Sequence, residues 1–361
     1  MTGNVAIIGC GYSPVRVTTP EVSYRELTFE AASRAYADAH ISHEEIQALV
    51  CCEEDFFEGV SISDEYTPDQ MGCVLRPVET VTGDGLHGVG VATMIIQTGE
   101  IDIVAVEAHS KASNILTFDH ITEYALDPIW NRPLGFHPEF VAGLEMNCFL
   151  NESGLSVADC DVIAAKNRRN ALLNPIAAYP ARLSADDIAN SPDLCTPLRQ
   201  GHVAQRADGV VVLVLASEKL AKKAERPVWI RGTGWANESP TLESRPWGED
   251  AATKAAATIA YKEAGIKSPS KEIDRFEVDD LYAYREAMAL TALDAGKVGD
   301  RVNLSGGSIG MGHTLDAIGL YRTAMCVEAI RNGDAKTALA HSWRGVPTTS
   351  VALSIFSVNH G

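Results

Sequence analysis

Three absences bound what this sequence can be. None of its apolar runs approaches the roughly 18 residues that a bilayer-spanning helix needs, and the opening stretch "MTGNVAIIGCG" enters a strand pattern without the basic leader of an export signal. The expectation is a soluble, cytoplasmic protein with no membrane contact. Cationic charge is scarce: 30 Lys and Arg against 48 Asp and Glu leave a formal net charge of -18. That argues against nucleic acid as a partner, because a polyphosphate requires a cationic surface to displace its counterions. The eight cysteines (Cys10, Cys51, Cys52, Cys73, Cys148, Cys160, Cys195 and Cys326) are scattered, with no C-x-x-C pair and no cysteine–histidine cluster at ligand spacing. They read as reduced small hydrophobes, and no metal is expected in this chain.

What is present is enough apolar sequence, 46% of 361 residues, for one large domain or two coupled ones. An anionic ligand would need a local exception to the acidic charge. One lies between Lys166 and Arg206, where six cations (Lys166, Arg168, Arg169, Arg182, Arg199, Arg206) face three acids, a net of +3. Solvated residues on helices and loops would give the same count.

The chain also repeats itself. "NVAIIGCG" (4–11) and "PVWIRGTG" (227–234) are β-rich runs closed by G-x-G, each leading to an alanine-faced helical segment, an acidic turn and a strand: "ALVCCEE" in one half, "RFEVDDL" in the other. Later, "IIQTGEIDIVAVEAHS" is echoed by "AIRNGDAKTALAHSW". The offsets of about 223, 225 and 234 residues imply an internal duplication. The halves are expected at 1–225 and 226–361, as mixed and largely parallel sheets covered by helices. Residues 114–205 have no counterpart and are read as an insertion in the first half, the kind of segment that carries function. The duplication also pairs two glycine-rich turns: "VETVTGDGLHG" (78–88) and "GGSIGMGHT" (306–314). Each should precede a helix, so that a site between the halves would draw on both. Asp84 and His87 sit at a predicted helix start, where Asp84 is first of all a cap. Tyr282 and Tyr284 read as packing residues on one side of a continuing strand.

Four ordered motifs carry a resemblance: "GG-x-x-x-x-GH" (306–313), "KNRRNALLNPIAAYPARL" (166–183), "SPDLCTPL" (191–198) and "ADGVVVLVLASEKL" (207–220). Together they resemble the thiolase superfamily, in the branch of sterol-carrier-protein-type and archaeal acetoacetyl-CoA thiolases, over nearly the whole chain. The resemblance implies an α/β, duplicated, five-layered αβαβα fold. It also implies chemistry on a coenzyme A thioester, the only cofactor-like molecule expected.

Matched to the family's motifs, the chain departs from each of them in part. Thr82 stands where the nucleophilic cysteine belongs, and a hydroxyl is far harder to ionise than a thiol at a helix N-terminus. The family's His-Asp-x-Phe becomes Asp279-Asp280-Leu281-Tyr282. Gly-His-Pro becomes Gly312-His313-Thr314, so His313 survives, as a site residue or as a hydrogen-bonded structural one. The last glycine-rich turn keeps Gly345 but carries Pro347, which has no N–H to offer an oxyanion. Candidate catalytic residues are thus Thr82, Asp279, Tyr282 and His313; candidate coenzyme A contacts are Lys166, Arg168, Arg169 and Gly345.

Three functions fit these residues. The first is a thiolase-like subunit without its own cysteine, acting on acyl-CoA carbon–carbon bonds inside a complex. The resemblance implies pairing with itself or with a second thiolase-like chain as a pseudo-symmetric heterodimer, and binding of a small OB-fold, zinc-ribbon protein. The second is a retro-aldolase cleaving a β-hydroxyacyl-CoA without a covalent intermediate; "GVPTT" (345–349) is similar to the C-terminal turn of such enzymes. The third is a non-catalytic paralog retained for the stability of an oligomer.

Overall fold

The computed structural model describes residues 3–55, 59–60, 62–239, 241–296, 298–345 and 349–360. In chain order the main elements are β1 (Val5–Tyr12), α1 (Tyr24–Ala39), β2 (Ala48–Cys52), β3 (Val78–Val81), α2 (Gly85–Gln97) and β4 (Ile103–Lys111). Then come α3 (Pro138–Ser153) and α4 (Val157–Asn170) within the inserted region, followed by β5 (Asp208–Ser217). The second half contributes β6 (Val228–Asn237), α5 (Ala251–Ala264), β7 (Arg275–Glu277), α6 (Ala283–Ala292), α7 (Ile318–Arg331), β8 (Thr337–Arg344) and β9 (Ser350–Ser357).

Nine strands are hydrogen-bonded in the order β3-β2-β4-β5-β1-β6-β9-β8-β7. The halves join where β1 meets β6 antiparallel through three residue pairs, Val5 with Ile230, Ala6 with Trp229 and Ile7 with Val228. Outward from that seam the pattern repeats. The next two pairings are antiparallel, β1–β5 and β5–β4 on one side and β6–β9 and β9–β8 on the other; the following one is parallel, β4–β2 and β8–β7. β3 is parallel to β2, and its counterpart has shrunk to a single parallel bridge between Val302 and Phe276. The sheet is therefore less parallel than its βαβ alternation predicts. The closing strand of each half, β5 or β9, runs back between strands of the opposite sense, and hydrophobic periodicity carries no information about strand direction.

The five layers follow from where side chains are buried. One core joins the inner faces of both halves to α2 and α7, the two central helices; a second packs α1 on the outer face of the first half; a third packs α4, α5 and α6 on the outer face of the second. The repeated G-x-G has a steric cause. A Cβ on Gly9 or Gly11 would lie 2.3 and 2.1 Å from the carbonyl oxygens of Ala35 and Ala31, and one on Gly232 or Gly234 would lie 2.3 and 2.1 Å from those of Ala260 and Ala256. In each half a bare strand lets an alanine-faced helix come within backbone contact. The inserted region packs across the halves: α3 and α4 lie on the outer core of the second half, although the segment departs from the first. Among the described residues, no helix is long and apolar enough to cross a membrane.

Candidate active site

A cavity of about 450 Å³ opens beside the N-termini of α2 and α7. The inserted region supplies an apolar wall, with Phe118, Ile121 and Tyr124; the second half supplies Tyr282, His313 and Trp343; Asp84 comes from the first. Two of the four predicted catalytic residues, Tyr282 and His313, therefore share one cavity with Gly345, which follows β8 at φ 113°. Pro347 lies outside the described residues.

His313 is held by its backbone. Its N–H donates to the Gln205 carbonyl at 2.8 Å, and its own carbonyl accepts the Ala207 N–H at 3.0 Å. The glycine turn before it is pinned by Asp280, whose carboxylate accepts the N–H groups of Ser308, at 2.5 Å, and Ile309, at 3.2 Å. Gly307, at φ 57°, must be glycine, because a Cβ would fall 2.1 Å from Asp280 Oδ2. His313 lines the cavity, and its Nδ1 is buried without a hydrogen-bond partner among the described residues. Burial, assisted by the nearby Arg322 and Arg206 cations and opposed by Asp279, pushes the imidazole down to about 4, so it is neutral at pH 7.

Tyr282 does not continue the strand, which ends at Glu277; it is the N-cap of α6. Its ring stacks on Tyr284 at 6.0 Å and on Trp343 at 6.4 Å. The tyrosine pair packs, as expected, on a helix start in place of a strand face.

Asp279 sits elsewhere. It is buried, and Arg322 Nη1 donates to it at 2.9 Å. Burial would raise its carboxyl, but the guanidinium outweighs that and holds it below the usual carboxylate range. The same guanidinium donates to Asp280 at 3.4 Å, Ser308 Oγ at 2.7 Å and Ser342 Oγ at 3.0 Å. Arg322 thus ties the Asp279–Tyr282 segment to the glycine turn of His313. Sequence reading missed it, although an arginine inside "AIGLYRTAMCVEAI" is a signal: such a charge in an apolar helix must be paired.

Thr82 lies exposed on the turn between β3 and α2, outside the cavity lining. Two residues on, Asp84 is the N-cap of α2, and His87 lies in its first turn. Asp84 accepts the Leu86 N–H at 2.9 Å and also reaches α7, accepting the Gly319 N–H at 3.1 Å. Burial raises its carboxyl to about 6, against the pull of these donors, Arg322 and Ser342. Cys52 lies under the first turn of α2, donating to the Gly85 carbonyl at 4.0 Å, with its thiol pushed well above the ordinary range by burial. Among the described residues, no cysteine lines the cavity.

At the mouth, Arg344 pairs with Asp316 at 3.2 Å and with Glu54, and Arg206 lies 3.9 Å over the Phe118 ring. The predicted coenzyme A cations are spread apart. Lys166 turns inward to Glu286 at 2.5 Å, Arg168 donates to the Tyr179 carbonyl at 3.2 Å, and Arg169 is exposed. Among the described residues, no cluster of His, Cys, Asp and Glu could hold a metal ion.

Comparison with known proteins shows what this arrangement is similar to. Residues 248–354 match the model of the thiolase C-terminal domain. Over 88% of this chain and 87% of its own length, the acetyl-CoA acetyltransferase of Methanocaldococcus jannaschii is 25% identical. Sterol carrier protein 2 of Bos taurus is 26% identical over 91% of this chain and 66% of that protein. Among solved structures, the Ltp2-ChsH2(DUF35) aldolase superposes with a TM-score of 0.84 at 22% identity, covering 99% of this chain and 98% of that one. With the duplicated five-layer fold and the glycine turn before His313, these matches make the chain similar to the thiolase superfamily, whose C-terminal domain its residues 248–354 match.

Proposed function

We propose that this chain cleaves or forms a carbon–carbon bond in an acyl-CoA thioester by aldol chemistry, without an acyl-enzyme. The observation that carries the reading is the cavity itself: among the described residues it is lined by Asp84, Tyr282 and His313 and by no cysteine, while Cys52 is buried beside it as a neutral thiol. A retro-aldol step needs a base for a hydroxyl proton and donors for the enolate oxygen, and no nucleophile. Neutral His313 suits the donor's task, and Tyr282 offers a phenol within the same space. Asp279, locked to Arg322, positions that segment.

The aromatic wall suits an apolar acyl group, and the exposed Arg169 is a coenzyme A contact at the surface. β3 is the outer strand of the sheet, with Val78, Glu79 and Thr80 exposed. This favours pairing with a second thiolase-like chain along the first-half edge, and a small OB-fold, zinc-ribbon protein is the further partner implied by the resemblance. Light scattering that finds only monomer in extract and after purification would refute the pairing.

The chemistry is tested on two substrates. With acetyl-CoA or acetoacetyl-CoA, intact-mass spectrometry should show no acyl adduct. With 3-hydroxy-3-phenylpropanoyl-CoA, the protein with its partners should release benzaldehyde and acetyl-CoA. An adduct on Thr82 or Cys52 would make the chain an ordinary acyltransferase, whereas absence of both adduct and cleavage would favour the non-catalytic paralog.

A further inference from the structure

We propose that Asp84 is the acid–base residue that exchanges the proton at C2 of the thioester. This rests on the aldol reading above for its place in turnover, but it is an assertion about one carboxyl and one carbon and can be tested by itself.

Three features of the fold place a proton-transfer group there. First, Asp84 is among the residues that line the cavity, although it is only 2% exposed. Second, its two oxygens are oriented by different helices: Oδ1 by the Leu86 N–H of α2 and Oδ2 by the Gly319 N–H of α7. A carboxyl fixed from both sides cannot rotate away when it gains or loses a proton. Third, His313 shares the cavity, neutral and with a buried Nδ1 that has no hydrogen-bond partner among the described residues. An enolate forming at C2 therefore has an imidazole at hand for its oxygen and a carboxylate for its proton.

In the exchange step the C2–H bond breaks, the proton passes to Asp84 and the electron pair becomes the enolate; return of a proton to C2 reverses each change. In the cleavage direction the hydroxyl O–H bond breaks and its proton passes to the ionised Asp84, the O–H pair becomes the carbonyl at C3 as the C2–C3 bond breaks, the C2–C3 pair becomes the enolate, and Asp84 returns the proton to C2. The charged and titratable groups around it are Cys52 of β2 and Arg322 of α7, with the Ser342 hydroxyl of β8; Asp316 and His313 line the same cavity. Arg322, the only cation among these neighbours, keeps the carboxyl ionised near neutrality despite its burial.

The test is C2 hydrogen–deuterium exchange of 3-phenylpropanoyl-CoA in D2O, followed by proton NMR. Asp84→Asn and Asp84→Ser each keep an oxygen that can cap Leu86 but cannot cycle a proton. Both should slow exchange by about 100-fold or more, with thermal melts confirming that they fold, and the wild-type rate should rise with pH through about 6. Failure of the wild type to exchange, or variants within about threefold of it, would overturn the assignment. If neither variant folds, the wild-type pH profile decides, and a flat profile overturns it. Exchange without cleavage of the β-hydroxyacyl-CoA would leave Asp84 in place and refute the aldol reading instead.

Discussion

Replacing Arg322 by methionine should damage this protein more than any change at its surface. The guanidinium is fully buried and donates to Asp279 and Asp280, which are 1% and 0% exposed, as well as to Ser308, Ser342 and the His341 carbonyl. Methionine fills much of the volume but leaves two carboxylates without their cation, and removing one partner of a buried ion pair typically costs about 3–5 kcal/mol. For a chain of this length, unfolding as one unit, that corresponds to a melting temperature lower by about 5 °C.

The loss should depend on pH. Asp279 is held below the usual carboxylate range, so it contributes stability above its unfolded pKa and loses it as pH falls through the folded one. Without Arg322 its carboxyl must take up a proton in the folded state, a cost that shrinks by about 1.4 kcal/mol for each pH unit towards its unfolded value near 3.9. Urea unfolding followed by tryptophan fluorescence at pH 8 and pH 5 should therefore show a gap between wild type and variant that narrows in acid. A gap under about 1 kcal/mol at pH 8, or one equal at both pH values, would refute the account of Arg322 as the counter-ion of this cluster.

Two further outcomes follow from packing and titration. Gly88→Ala would place a methyl 2.1 Å from Cys52 Sγ and 3.1 Å from Val106 Cγ1, an overpacking expected to cost about 1–3 kcal/mol. In a Cys52→Ala background most of that cost should vanish, as a double-mutant denaturation series would show. His341 is buried and driven down to about 4, chiefly by burial, so the unfolded state binds more protons between roughly pH 6.5 and 4 and stability falls there as pH drops, by up to about 3 kcal/mol. His341→Gln should flatten that part of the pH–stability curve relative to wild type; an unchanged slope would assign it to other groups.

The duplication was legible because its cause is local. A G-x-G strand against an alanine-faced helix is written in contiguous residues, and both copies, Gly9 with Gly11 and Gly232 with Gly234, meet the same kind of backbone at the same distances. The cap at Asp84 and the glycine turn before His313 were legible for the same reason. Long-range pairings were not. Lys166 counts as a surface cation in the sequence, and only the fold reveals Glu286, 120 residues on, as its partner. Asp279 looks like a replacement for a catalytic histidine until Arg322 is found against it, 43 residues away along the chain. The antiparallel return of β5 and β9 was hidden likewise, because alternation of strands and helices leaves direction open.

Two titratable groups of the cavity lining, Asp84 and His313, are driven apart by one environment. Burial raises the carboxyl of Asp84 to about 6 and lowers the imidazole of His313 to about 4, so at pH 7 the first is mostly ionised and the second neutral. That is the charge state of a proton acceptor beside an uncharged donor, as enolate chemistry requires. Nucleophilic thioester chemistry needs the reverse assistance, a base or cation able to hold a thiolate. Cys52 finds neither: its electrostatic neighbours Asp84, Glu107, Asp316 and Glu53 are carboxyls, all pushing its thiol up. A thiol introduced at position 82 would begin two residues from Asp84, under the same acidic influence. Changing one residue back to cysteine therefore should not restore acyl transfer, because the carboxyl at the start of α2 disfavours a thiolate there while remaining suited to carrying a proton.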